Sequence, residues 1–401
     1  MNVPELRFPE FVEDWEVKKL GDILEPTNER TSINNEYEII SSTKKGLYLQ
    51  SEYFNKNIAS ENNIGYKILR LNEIVFSPQN LWLGNINFNK KYNIGIVSPS
   101  YKIFKTNQNS LYIGIFLKLN RMIFRYGLIS EQGASVVRRN LNINEFNELK
   151  IKIPSIPEQK KISNFFTVID NLIDLLTRQK ENLEIYKKGV MQKIFSREIR
   201  FKDDDGNDYP DWEVKKLGEI CDIKGGKRIP KGYNLQEKDN GLPYITVSDM
   251  NNGNVSFDKI KFVPLEIYRK IKNYTISTND LYVSVAGTLG LVGMIPENLN
   301  NANLTENANK LTNINCIKKY LYFYLNTNYF SKLINSVKTN NAQPKLAIYA
   351  LKNFKIKLAS LPEQQKIANL LSNIDNQIET VSNHLENTHQ YKKSLLQKMF
   401  I

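Results

Sequence analysis

Pro210-Asp211-Trp212-Glu213-Val214-Lys215 sets two carboxylates and a lysine close together, the residue types a metal-dependent nuclease needs. The spacing argues against that chemistry. The stretch is too compressed to place two carboxylates around a metal from separate strands, and a second copy at Asp14-Trp15-Glu16-Val17-Lys18 is preceded by Glu13 where the first has a proline. Lys224-Gly225-Gly226-Lys227 has the look of a phosphate loop but lacks the upstream glycine and the hydroxyl that would hold magnesium. His384 and His389, the only two histidines, lie five residues apart on a helical stretch and poorly share a face. They are read as one interfacial and one solvated residue, not as metal ligands. There is no Asn-Pro-Pro or Asp-Pro-Pro stretch of the amino-methyltransferase kind. No catalytic residue, metal or cofactor of its own is expected for this chain.

The elements around those residues say more. The eight residues DWEVKKLG occur at 14–21 and again at 211–218. A second repeat, PEQKKISNFFTVIDNLIDLLTRQKENLEIYKKGVMQKIF at 157–195, matches 362–400 at 18 of 39 positions without a gap. The chain is a tandem duplication with a strict frame and divergent contents. Each PEQ segment is expected to open a helix with a capping box, Ser155 with Glu158 and Ser360 with Glu363. Ile162, Ile169, Leu176, Leu183 and Val190 then recur every seven residues, with Phe165, Leu172 and Tyr186 three residues after members of the series, which is coiled-coil spacing. The second copy keeps Ile367, Ile374, Val381 and Leu395. One such stripe cannot be buried alone. The two long helices are therefore expected to pair with each other, the alternative being that each packs on its own globular domain. At about 1.5 Å per residue, about 39 residues make a rod roughly 58 Å long.

The contents read as mixed structure, with strand-like pieces at 37–40 (YEII), 74–76 (IVF) and 242–247 (LPYITV) between Gly, Asn and Pro turns. ISSTKKG at 40–46 echoes ITVSDMNNG at 245–253, and NEIVFSP at 72–78 echoes NDLYVSV at 279–285. Both contents are read as one fold carrying different surfaces. The predicted class is α+β: two mixed α/β domains in tandem, separated and joined by two long antiparallel coiled-coil-like helices, in a pseudo-twofold repeat. The predicted bounds are 1–156, 157–196 (first helix), 197–361 (acidic linker and second domain) and 362–401 (second helix).

Composition bounds the setting. At 401 residues with 41% apolar content, two or more domains with ample cores are the prior. Only Cys221 and Cys316 are present, which argues for a reducing compartment. The opening MNVPELRFPE shows no leader, and no apolar run approaches a membrane span, so a soluble cytoplasmic protein is expected. The net charge of +13 is unevenly placed. Residues 15–156 carry 19 basic and 12 acidic side chains and residues 212–361 carry 21 and 11, so the divergent domains hold the whole positive excess. Duplicated basic domains with variable surfaces, set at fixed separation by a rigid rod, suit a reader of two short DNA segments.

The order of these features resembles the specificity subunit of type I restriction-modification enzymes. The resemblance rests on WE-x-KKLG before each variable domain, PEQ at each helix start and YKK-x-x-x-QK-x-F at each helix end, together with GIVSPSYKIF at 95–104. It implies recognition of a split double-stranded DNA target, one half per variable domain, with the helices as spacer ruler and docking surface. Two methyltransferase subunits and additional restriction subunits are the implied partners, and S-adenosylmethionine, ATP and magnesium are implied on those partners. Arg200-Phe201 echoes Arg7-Phe8, so the chain ends are expected to meet and close a ring. A stand-alone DNA-binding regulator and a coiled-coil scaffold are the alternatives.

Within that reading the candidate DNA contacts in the first domain are Lys44 and Lys45 before a Gly46 turn, then Gln79, Asn80, Trp82 and Asn85, and Arg138 with Arg139. Amides can read adenine edges, and lysines neutralise phosphates. The alternative is that Trp82 is core and the amides build turns. In the second domain they are Lys227, Arg228 and Lys231 of GGKRIPKG, Thr288 in a glycine-rich turn, Gln343, which with Pro344 stands at the positions matching the arginine pair, and Lys345. The glycines of GGKRIPKG are expected to permit close approach of backbone to a phosphate or base edge.

Overall fold

The computed structural model describes residues 3–53, 62–132, 139–251, 253–337 and 345–401. The chain divides into two compact units, Met1–Thr177 with Asn383–Ile401, and Arg178–Ser382. Each unit takes in part of both long helices, which run over Ile156–Ser196 and Leu361–Lys398.

The repeated frame is a closure. Strand Glu16–Lys19 of the DWEVKKLG repeat pairs antiparallel with Lys150–Ile153, immediately before the first long helix. Glu213–Lys216 pairs with Lys355–Leu358 in the same way before the second. The variable contents thus begin and end on one two-stranded ribbon, which lets them diverge while their ends stay fixed. A short helix follows each first strand, Leu20–Ile23 and Leu217–Ile220, and buries its terminal apolar residues.

The contents are the same fold twice. In the first unit an antiparallel sheet runs in the spatial order Leu24–Thr27, Lys102–Thr106, Ile74–Phe76, Ile86–Phe88. In the second it runs Asp222–Gly225, Ala308–Thr312, Leu281–Ser284, Val292–Met294. Alternate side chains of a strand face opposite ways. Ile74 and Phe76 therefore enter the core against the helices while Val75 enters a second core, and Leu281 and Val283 part from Tyr282 likewise. The second core lies under a smaller sheet. In the second unit that sheet is Lys261–Phe262, Pro243–Ile245, Ala302–Leu304, Thr275–Ile276, its central pair parallel. In the first unit Lys67–Arg70 pairs with Ile94–Val97, and the hairpin Ile40–Thr43 with Gly46–Leu49 joins through a parallel bridge from Ile39 to Ile96. The YEII stretch contributes its final isoleucine, where that strand begins.

The PEQ motif has a different use from the one expected. The Glu158 carboxylate, 1% exposed, does not cap the helix. It accepts two hydrogen bonds from Arg7 at 2.8 and 2.7 Å and one from Trp15 Nε1 at 3.4 Å. Glu363 accepts the same set from Arg200 and Trp212. Ser360 Oγ has no hydrogen-bond partner. A bidentate guanidinium satisfies a buried carboxylate better than backbone N–H groups of a first turn, which water can serve. The adjacent Gln159 and Gln364 side chains each accept from a backbone N–H at the start of a domain helix, Asn109 and Ile317, and donate to Pro154 and Ala359 carbonyls. PEQ therefore locks each long helix onto its own domain.

The helices also meet each other within each unit. Ile162, Phe166 and Ile169 share one core with Leu395, Met399 and Phe400, and Ile367, Leu371 and Ile374 share another with Met191, Ile194 and Phe195. Ion pairs Asp170–Lys392 and Asp375–Lys187 join the helices at equivalent places. Both expectations for the stripe thus hold at once. Leu176 and Val381 are buried, and Leu183 is only half-buried. Of the predicted three-residue companions Phe165 packs half-buried against the core, beside the fully buried Phe166, while Leu172 and Tyr186 are 45% and 56% exposed. A helix wedged between a domain and another helix buries neighbours at i and i+4 rather than a narrow seven-residue seam.

The N-terminal segment meets the last helix turn where the frame demands it. Leu6 N donates to the Lys398 carbonyl and Glu5 pairs with Lys398, as Ile199 N does to Lys193 and Glu198 to Lys193. One junction is made by chain continuity, the other by hydrogen bonds.

Candidate nucleic-acid interface

Most of the candidate contacts lie on turns that leave the sheets at one edge. In the second unit Asp222–Gly225 and Leu281–Ser284 both end against Ala308–Thr312, at Asn309 and Ala308 respectively. The GGKRIPKG loop leaves from the first and the glycine-rich turn bearing Thr288 from the second. Residues 305–307 tie them: Thr305 N donates to the Ile245 carbonyl, and the Asn307 carbonyl accepts from Val285 at 2.7 Å and Ala286 at 3.2 Å. Lys345 bridges to Ala286, so it joins the same edge. Lys227, Arg228, Lys231, Thr288 and Lys345 are all exposed.

The loop is held tightly. Gly226 N donates to Ala308 and Lys227 N to Leu304, while the Tyr244 hydroxyl donates to the Lys227 carbonyl at 2.9 Å. A Cβ on Gly226 would lie 2.1 Å from the Thr305 carbonyl oxygen. That glycine serves close packing inside the protein rather than approach to a ligand. Burial pushes the Tyr244 phenol up to about 12, so it remains a neutral donor. Arg228 Nε lies 3.2 Å from Glu306 Oε1, a partner that sequence reasoning missed because the two are 78 positions apart.

The first unit builds its edge from the matching turn after its central strand, together with the Lys44–Lys45 turn of the hairpin Ile40–Thr43 with Gly46–Leu49. The Lys44–Lys45 turn joins the 77–85 turn through Asn85, whose amide accepts from Ser42 Oγ at 2.7 Å and donates to the Ser42 carbonyl at 2.9 Å. Asn85 is buried and engaged at both ends, a correction to its place among the candidate contacts: it positions the turn. Gln79 and Asn80 are half-buried, and Gln79 offers its carbonyl to Arg139 N at 3.3 Å. The Arg139 guanidinium covers the Trp82 ring at 4.5 Å and donates to the Gly127 carbonyl at 3.3 Å. Trp82 is half-buried under it, with Nε1 enclosed and without a partner. Gly84, in the left-handed region at φ 87°, closes this turn, and a Cβ there would lie 2.8 Å from Ile123 Cδ1. Arg138 and Gln343 lie outside the described residues.

Each unit also holds a cleft beside the end of a repeated helix, and in the first unit it reaches the candidate turn, since Lys45 and Gly46 line it. The cleft of the first unit, about 930 Å³, is lined by Lys118, Arg121, Lys392, Lys393, Leu396 and Gln397 among others. That of the second, about 600 Å³, presents the repeat's Lys187, Lys188, Met191 and Gln192 beside Tyr322 and Tyr329. Desolvation lowers the Lys118 pKa, and its ammonium is held by the Asn87 amide oxygen at 2.6 Å. Both histidines are exposed, which corrects the interfacial reading of His384. Among the described residues no group of His, Cys, Asp and Glu side chains could hold a metal ion, and no helix is long and apolar enough to cross a membrane.

The profile of the type I restriction modification DNA specificity domain matches this sequence twice, over residues 12–185 and 209–388. The chain belongs to that family. It is 26% identical to the type I restriction enzyme MjaVIII specificity subunit of Methanocaldococcus jannaschii, over 98% of this chain and 92% of that one. It is 22% identical to the EcoBI specificity subunit of Escherichia coli, over 71% and 65%. The fold is similar to the crystal structure of the type I restriction-modification S subunit from M. genitalium, with a TM-score of 0.60 and 16% identity over 100% and 99% of the two chains. The type I DNA specificity family accounts for the doubled architecture, for DNA as the ligand and for assembly with other restriction-modification subunits. Its specificity subunits recognise DNA without carrying the catalytic centre. The two profile matches each span one variable domain with part of a long helix, the tandem arrangement expected from the repeats.

Proposed function

We propose that this chain directs its restriction-modification complex to a bipartite DNA target, each unit reading one half with the turns at its sheet edge. The observation that carries this reading is the pairing of a repeated sheet framework with unlike edge turns. Two lysines, a tryptophan and an arginine furnish one edge, and an Lys-Arg-x-x-Lys loop the other. The recognition domains are residues 1–156 and 197–361, and the helices 157–196 and 362–401 set the spacer. Two methyltransferase subunits dock on the repeated helices, and the two clefts that share the Lys-Lys-x-x-Met/Leu-Gln lining support equivalent docking. Restriction subunits complete the assembly in the cytoplasm, with S-adenosylmethionine, ATP and magnesium on the partners.

The test is an exchange of residues 221–360 for the same segment of a related subunit, followed by methylation sequencing in cells expressing the cognate methyltransferase. One half of the methylated motif should change, while the other half and the spacer stay. A change in both halves, or in the spacer, would overturn the reading.

A further inference from the structure

We infer that Glu306 is a specificity-determining positioning residue: it aims the Arg228 guanidinium at a guanine edge and bars that arginine from serving as a phosphate anchor. The inference rests on the reading of this edge as a DNA interface. It begins with a carboxylate where a basic loop has no electrostatic use for one. Arg228, 83% exposed, has its Nε 3.2 Å from Glu306 Oε1, and Glu306 is only 34% exposed. The other carboxylate oxygen accepts from Thr305 Oγ1 at 3.1 Å. Thr305 is itself fixed by its N–H on the Ile245 carbonyl, and Asn307 by its own carbonyl on Val285 and Ala286. The carboxylate therefore sits on a turn that both sheets hold in place.

An exposed ion pair adds little to stability, typically 0–1 kcal/mol. Its consequence here is geometric. With Nε facing Glu306, the two terminal nitrogens remain for an outside ligand, and these are the pair that meets guanine O6 and N7 bidentately. A phosphate brought to the same arginine would also approach the carboxylate, and like charges brought together suppress wrong partners. The loop's lysines lack such a partner: among the described residues neither Lys227 nor Lys231 pairs with a carboxylate, the Lys227 ammonium lies over the Tyr274 ring at 5.5 Å, and Lys231 lines, with Arg228 and Glu306, a surface groove of about 860 Å³. Phosphate anchoring falls to the lysines and base reading to Arg228. The equivalent turn of the first unit has no such device, since Arg30 donates to the Gly65 carbonyl at 2.7 Å and Glu29 pairs with Arg70.

The experiment uses the full chain assembled with its methyltransferase, and duplexes carrying the motif found by methylation sequencing, with each G·C pair of the second half-site replaced in turn by A·T. Thermal melting of every variant verifies folding. Arg228→Ala should weaken cognate binding by roughly 5- to 100-fold. Glu306→Gln should keep cognate affinity within about threefold yet bind one substituted duplex, and unrelated DNA, roughly tenfold more tightly, so that discrimination is lost at a single G·C pair. Arg228→Lys should not restore it. If Arg228→Ala weakens cognate binding while Glu306→Gln leaves discrimination unchanged, the inference fails and the DNA-reading edge stands. If Arg228→Ala and Lys231→Ala both leave affinity and salt dependence untouched, the edge itself is wrong, and the inference goes with it.

Discussion

The two units differ least where they are most buried and most where they are most exposed. Arg7, Trp15 and Glu158 in one repeat Arg200, Trp212 and Glu363 in the other almost atom for atom, and the Asp170–Lys392 pair repeats as Asp375–Lys187. The edge turns, by contrast, share hardly a side chain. Even the helices that follow the central sheets keep their places while their linkers change, Lys118-Leu119-Asn120-Arg121 becoming Asn326-Thr327-Asn328-Tyr329. A buried carboxylate tolerates little change because removing its partner leaves a charge without water. An exposed turn tolerates almost any change that keeps its ends in place.

That contrast can be broken at several points. The largest effect belongs to the buried triads: Arg7→Ala and Arg200→Ala should each cost about 3–5 kcal/mol, because each strands a carboxylate that is at most 1% exposed. Chemical denaturation, with hydrogen exchange to assign the loss to a unit, should show two similar losses, and strongly unequal ones would mean the frame is not truly shared. Next come Leu176→Asp and Val381→Asp, where a charge enters a buried helix face at a cost of roughly 2–3 kcal/mol. Normal folding and normal assembly with methyltransferase in both variants would remove the helix pairing from the account. Smaller still, Lys187→Ala and Lys392→Ala should each cost about 0.5–1 kcal/mol, since these pairs are only partly buried. A double-mutant cycle with Asp375 or Asp170 isolates each pair. Smallest in energy is Lys231→Ala, which should leave stability unchanged, lower the salt slope of DNA binding by about one, and weaken all sequences alike. A loss confined to one sequence would reassign Lys231 from phosphate to base.

Repeats and periodicity made the framework legible before any coordinates. Identical octapeptides imply identical local folding, and the echo NEIVFSP/NDLYVSV marked the central strand of each sheet because its residues enter two cores in alternation. The edge was less legible. Lys227, Arg228 and Lys231 announce themselves by charge, but Asn85 carries the same amide as Gln79 and only its neighbours show that it is internal.

The sequence by itself determined the duplication, the two long helices, the placement of positive charge in the divergent domains and hence the family, because each of these is a pattern along the chain. Tertiary structure alone decided that Glu158 and Glu363 face an arginine and a tryptophan rather than their own helix ends, that Gly226 makes room for a carbonyl, and that Glu306 stands beside Arg228. Those are meetings between residues dozens to more than a hundred positions apart, and neither charge nor periodicity along a chain records which distant group will satisfy a buried or crowded one.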